Sequence, residues 1–163
     1  MHRLSLLAAL LLGTPALAEE TLTSWDRYTS LVMAHCIVDG VEPRDGQAAA
    51  AGAKFAADFE EAGATADGAV LTHGNGTTLT LGWGAGVSCA MVVPDSALSK
   101  EDHALLFADL KEQLGWNFGE LTIEEVSGGE IWGMDGTKGN RIAVQMVRQA
   151  DSTLIDAQSR AAE

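Results

Sequence analysis

The stretch Thr77–Val93, TTLTLGWGAGVSCAMVV, is the longest β-forming apolar run beyond the first eighteen residues, and it constrains the fold most. Leu79, Leu81 and Trp83 alternate with Thr78, Thr80 and Gly82. Val87, Cys89, Met91 and Val93 alternate with Ser88, Ala90 and Val92. Period-two patterning rich in Thr, Val and Leu predicts two half-buried strands, Thr77–Trp83 and Val87–Val93. Gly82, Gly84 and Gly86 between them suit a tight turn or a bulge. Upstream, Ala69–His73 reads as a third strand, followed by Gly74-Asn75-Gly76. Asn-Gly tolerates positive φ at both central positions of a type I′ turn, so a hairpin is expected there. The region is then a three-stranded meander.

Helical patterns flank it. Ser24 is placed as the N-cap of a first helix running to about Cys36, with Trp25, Tyr28, Val32 and Cys36 on one face. Asp45 is placed as the cap of a second helix from about Gly46 to Ala62, with Gly63 as its stop. After Pro94, Ser99 and Asp102 form a variant capping box for a third helix with a stripe of Leu106, Phe107, Leu110 and Leu114, ending at Gly115. Leu121–Val126, Ile131–Met134 and Asn140–Gln149 then read as a second three-strand meander, with a polar tail from Ala150. The expected fold is α+β. It is a single domain over 19–163, with two N-terminal helices, a meander, a helix and a second meander, and with the helices mainly on one face of the sheet.

Residues 1–18 have the layout of a secretory signal peptide. His2 and Arg3 precede the apolar run Leu4–Leu12, and Ala16-Leu17-Ala18 is a small-x-small cleavage site. That run is about half the ~20 residues a membrane-spanning helix needs, so no integral membrane segment is expected after cleavage. The protein is expected to be exported, to a periplasm or the outside. The 163-residue chain carries 23 acidic against 10 basic residues, a net charge of −13. Such a surface repels phosphate backbones and anionic headgroups, so nucleic acid and membrane surfaces are poor candidate partners, and no nucleic acid partner is expected.

Two cysteines in an oxidising compartment favour a bridge, so a Cys36–Cys89 disulfide is expected. There is no C-x-x-C, H-x-x-x-H, H-E-x-x-H or G-x-S-x-G. A zinc site using Cys36, Cys89 and His73 with one further ligand is the competing arrangement, but the usual ligand spacing is missing, and no metal or other cofactor is expected. His103 falls in the first turn of the third helix, on its polar side. Ser88 lies in a strand, and Glu124 and Glu125 point to opposite faces of theirs. The glycines at 82–86 precede a strand, where a dinucleotide loop would open a helix. The Asn75-Gly76-Thr77 sequon reads more simply as the hairpin turn. Trp83 and Trp132 sit beside glycine on expected strands, which allows an open stacking platform, although core packing is the plainer role. Trp83, Trp132 and His73 are therefore the candidate ligand contacts, and no catalytic residue is assigned. The expected function is a non-enzymatic domain that binds a small ligand or a protein. The alternative is a hydrolase or metal-dependent enzyme with a dispersed site around His73 and Glu130.

Overall fold

The computed structural model describes residues 22, 24–38, 50, 51, 54, 57–83, 87–136 and 139–161. A first helix, Trp25–Leu31, continues into a π-helical stretch, Val32–Val38. The strands β1 (Glu60–Thr65), β2 (Gly68–Thr72), β3 (Thr78–Gly82) and β4 (Val87–Pro94) follow. A long helix, Lys100–Phe118, leads to β5 (Thr122–Val126), β6 (Gly129–Asp135), β7 (Asn140–Arg148) and β8 (Ser152–Ala161).

All eight strands form one antiparallel sheet in the order β1-β2-β3-β4-β8-β7-β6-β5. Each meander therefore has four strands, not the three expected, and the two join where β4 pairs with β8. Read outward from that seam, strand n on one side faces strand n+4 on the other. A helix precedes each meander, so the topology repeats a helix-plus-four-strands unit about a pseudo-two-fold axis.

Antiparallel register puts side chains that pair across strands on the same face. One inward row runs Leu71, Leu79, Met91, Ile155, Met146 and Glu130. The next runs Ala69, Leu81, Cys89, Ala157, Val144 and Trp132. Cys36 bonds to Cys89 and Phe107 of the long helix packs edge-on against Trp132, with ring centroids 5.1 Å apart. Cys89 and Trp132 share a row, so both helices cover the same face of the sheet.

The long helix begins as its sequence dictates. The Ser99 Oγ accepts from the Asp102 N–H at 3.1 Å and donates to the Asp102 carboxylate at 2.6 Å. Its end is later than expected. Gly115 is helical, and the stop is Gly119, at φ +85°, whose N–H bonds the Gly115 carbonyl. Leu106, Leu110 and Leu114 are buried.

Three other expectations are corrected. Ala50, Ala51, Lys54 and Ala57 are helical, but Asp58 takes φ +54° and Glu60–Ala62 belong to β1, so the helical pattern stops short of Ala62. The Asp45 cap lies outside the described residues. The β2–β3 turn is not type I′: Gly76 (φ +89°) has positive φ, while Asn75 does not. The Gly76 N–H bonds the His73 carbonyl and the His73 N–H bonds the Thr77 carbonyl, both at 2.9 Å, giving a three-residue loop closed by a glycine. The chain from Ser152 is not a frayed tail but β8, a strand at the centre of the sheet.

A polar cluster ties the first helix to that β2–β3 turn. The buried Tyr28 hydroxyl lies 2.9 Å from Thr77 Oγ1, and the Asn75 amide donates to Tyr28 Oη at 2.9 Å and to the Leu22 carbonyl at 3.0 Å. The sequon's Asn75 is thus committed to internal hydrogen bonds.

Candidate functional site

Helical spacing places Lys100, His103, Ala104 and Phe107 on one stripe of the long helix. Strand spacing places Met146 and Arg148 on one face of β7, and Thr153 of β8 pairs with Arg148. The two groups face each other across a cleft of about 370 Å³, closed at one side by Gly128 in the β5–β6 turn. Gly128 has φ +83°, and a Cβ there would meet the Arg148 carbonyl at 2.8 Å. Only glycine lets the turn approach so closely.

The cleft is divided by chemistry. Ala104, Phe107 and Met146 make an apolar part, and Lys100, His103, Arg148 and Thr153 a polar one. Behind the polar part, four side chains close a ring. Arg148 Nη2 donates to both carboxylate oxygens of Asp95, at 2.5 Å. Arg148 Nη1 donates to Thr153 Oγ1 at 3.2 Å, Thr153 Oγ1 lies 3.0 Å from His103 Nδ1, and His103 Nε2 lies 3.4 Å from Asp95 Oδ1.

A guanidinium only donates, so Thr153 Oγ1 accepts from Arg148. Towards His103 Nδ1 the hydroxyl can donate its own proton or accept with its second lone pair, according to the tautomer of the neutral imidazole. Burial, aided by the Arg148 charge, lowers the His103 pKa against the opposing pull of Asp95 and Asp102, which favours this neutral form. The hydrogen bond from Arg148 holds the Asp95 carboxyl below its ordinary value. His103 is only 4% exposed, yet its Nε2 has no hydrogen-bond partner, since the contact with Asp95 lacks hydrogen-bonding geometry. Lys100 makes no ion pair among the described residues. This ring can orient and hold a polar group. The Thr153 hydroxyl, 2% exposed and bonded on both sides, is a fixed part of it.

The residues singled out in the sequence are placed elsewhere. Trp132 is fully buried, and its Nε1 donates to Glu130 Oε2 at 2.6 Å. Glu130 also accepts from Lys111 of the long helix at 2.6 Å, and these two hydrogen bonds lower its pKa. Trp83 is half-buried against the core, and its Nε1 donates to the Ala66 carbonyl at 2.9 Å, across the β1–β2 turn. His73 packs on Phe59, with centroids 5.7 Å apart, and its Nδ1 accepts from the Asn75 N–H at 3.2 Å. His73 follows β2 whereas Glu130 lies on β6, with four strands between those two in the sheet. Trp83, Trp132 and His73 do not line the cleft between the long helix and β7.

Cys36 and Cys89 are joined by a disulfide, with Cα atoms 5.1 Å apart. Both sulfurs are consumed by the bridge, so neither is a metal ligand. Among the described residues no group of three or more His, Cys, Asp or Glu side chains is placed to hold a metal ion. No described helix is long and apolar enough to cross a membrane.

The cleft was not visible in the sequence. His103, expected on the polar side of its helix, is buried against Thr153 of β8, a strand whose sequence reads as a polar tail. The stripe Lys100, His103, Ala104, Phe107 was the one signal available, a helical face mixing a cation and a histidine with apolar groups. The chain matches no family model, no curated protein and no solved structure, so its function has to be argued from this geometry.

Proposed function

We propose that this chain is an exported, non-enzymatic domain that binds a small ligand in the cleft between the long helix and the ends of β7 and β8. One observation carries the reading: a cavity of about 370 Å³ in which apolar and hydrogen-bonding groups are segregated. Small-molecule sites are typically clefts of ~300–1,000 Å³ with apolar walls and a few convergent polar groups. The fixed ring of Asp95, Arg148, Thr153 and His103 supports this, because it holds those polar groups in place before any ligand arrives. Export is supported by the signal-like N-terminus and by the Cys36–Cys89 bridge, which suits an oxidising compartment.

Ala104 is exposed on the helix surface and lines the cleft, so Ala104→Phe fills the cavity without disturbing the core. A small-molecule screen by thermal shift, followed by calorimetry, is expected to yield ligands that raise the melting temperature of the parent protein but not of this variant. Ligands that stabilise both equally would place binding elsewhere and refute the cleft. For export, mass spectrometry of the protein from a cell-envelope fraction is expected to show a mature N-terminus at Glu19, whereas an intact Met1 would count against it.

A further inference from the structure

The cleft's charge does not match that of the molecule. The chain carries 23 acidic residues against 10 basic ones, yet Lys100 and Arg148 both line this cavity and no carboxylate does. Asp95 neutralises Arg148 from behind. Glu101 and Asp102 share the helix turn of Lys100 but do not line the cavity, and Asp102 is engaged by Ser99. Lys100 makes no ion pair among the described residues, although its charge reaches Asp95. A cation lining a cleft that no carboxylate lines favours an anionic group there.

We infer that the ligand of this cleft is a small amphipathic anion, a monocarboxylate with a short apolar tail. This deepens the proposed ligand-binding role and rests on it. The carboxylate takes a salt bridge from Lys100, while the tail lies along Ala104, Phe107 and Met146. Size sets the scale: about 370 Å³ holds on the order of a dozen groups at ~30 Å³ each. That suits a medium-chain fatty acid or an aryl acid and is too small for a nucleotide or a whole phospholipid. An amine is repelled by Lys100 and Arg148, which both line the cavity.

The test is calorimetry on the exported protein at pH about 7.5, where His103 is neutral. The probes are octanoate, octanamide and octylamine, which share a chain length and differ in head charge. Octanoate is expected to bind, octanamide to bind more weakly by roughly tenfold or more, the scale of a lost charge-assisted contact, and octylamine not to bind. Lys100→Gln, a surface change that spares the core, is expected to weaken octanoate by a similar factor and leave octanamide unchanged. Ala104→Phe is expected to abolish binding of both.

Octanamide binding as tightly as octanoate, or a Lys100→Gln variant that holds octanoate at full strength, would overturn the anion assignment. The cleft would still stand if Ala104→Phe removed that binding. No binding by any of the three probes, or binding indifferent to Ala104→Phe, would overturn the anion assignment, and the second result would remove the cleft as well.

Discussion

The Thr153 hydroxyl lies 3.0 Å from His103 Nδ1, joining the first turn of the long helix to the strand at the centre of the sheet. A hydroxyl can give or accept that bond, so it survives in either charge state of the imidazole. What protonation costs is a charge buried among neighbouring side chains and set against Arg148.

This gives the pH dependence of stability a definite sign. The unfolded chain takes up the His103 proton near 6.5, and the folded chain does so only at lower pH. The stabilisation from His103 is complete above about pH 6.5 and is lost as the pH falls from there through the lowered folded value. Asp95, with its pKa lowered from 3.8, loses its share only in more acidic solution. Melting temperatures between pH 7.5 and 5 are expected to fall more steeply for the parent protein than for His103→Gln. Equal slopes would show that His103 does not titrate as described.

Glu130 is expected to matter for stability rather than chemistry. Its carboxylate is the acceptor for the indole N–H of Trp132, which is fully buried. Glu130→Ala strands that donor and is expected to cost about 1–3 kcal/mol in denaturant unfolding, while Glu130→Gln, which keeps an acceptor, costs less. A Glu130→Ala protein as stable as its parent would mean that the bond contributes nothing.

The disulfide closes a loop with a sequence separation of 53 residues, from the π-helical stretch to β4. Chain-entropy reasoning assigns about 4 kcal/mol to a loop of that length. Replacing both cysteines with alanine is therefore expected to lower the melting temperature markedly, since ~5–15 kcal/mol is the whole stability of a typical domain. A thiol assay on the unreduced, denatured protein should find no free cysteine, and two titratable thiols per chain would contradict the bridge.

What was legible in the sequence followed strong period-two or helical patterning. Strands β2, β3, β4, β6 and β7 and the long helix come from runs whose inward positions are mostly Leu, Val, Ile or Met, with Ala69, Cys89 and Trp132 beside them. The disulfide came from cysteine count and compartment. What was missed had weak patterning. β1, EEAGAT, is an exposed edge strand with no apolar face of its own, so its alanines and glutamates read as helix. β8 points Thr153, Ile155 and Ala157 inward, and two of these are too small or polar to signal a core. Its inner face is set by what lies opposite, Val93, Met91 and Cys89 on β4, and the sequence alone does not show that pairing. Losing β8 also hid the cleft, because Thr153 supplies one wall and buries His103. The repeat was invisible for the same reason, since the two halves share a strand order without shared residues.

The same point gives the sharpest test of the fold. β8 pairs with β4 from Ser152 to Ser159 and with β7 from Thr153 to Ala161, so among the described strands it is the one that joins the two meanders. A tail can be removed at little cost, but a central strand cannot. Without β8, both β4 and β7 become unprotected edges, and Met91, Cys89, Met146 and Val144 lose their neighbours in the inward rows. A chain ending at Asp151 is therefore expected to lose cooperative thermal unfolding and to expose apolar surface to a hydrophobic dye. Adding a peptide spanning residues 150–163 is expected to restore the transition, because the missing strand has a slot with hydrogen-bonding partners on both sides. A truncated chain that melts cooperatively near the parent temperature would show that the two meanders hold together without β8, and that this sheet order is wrong.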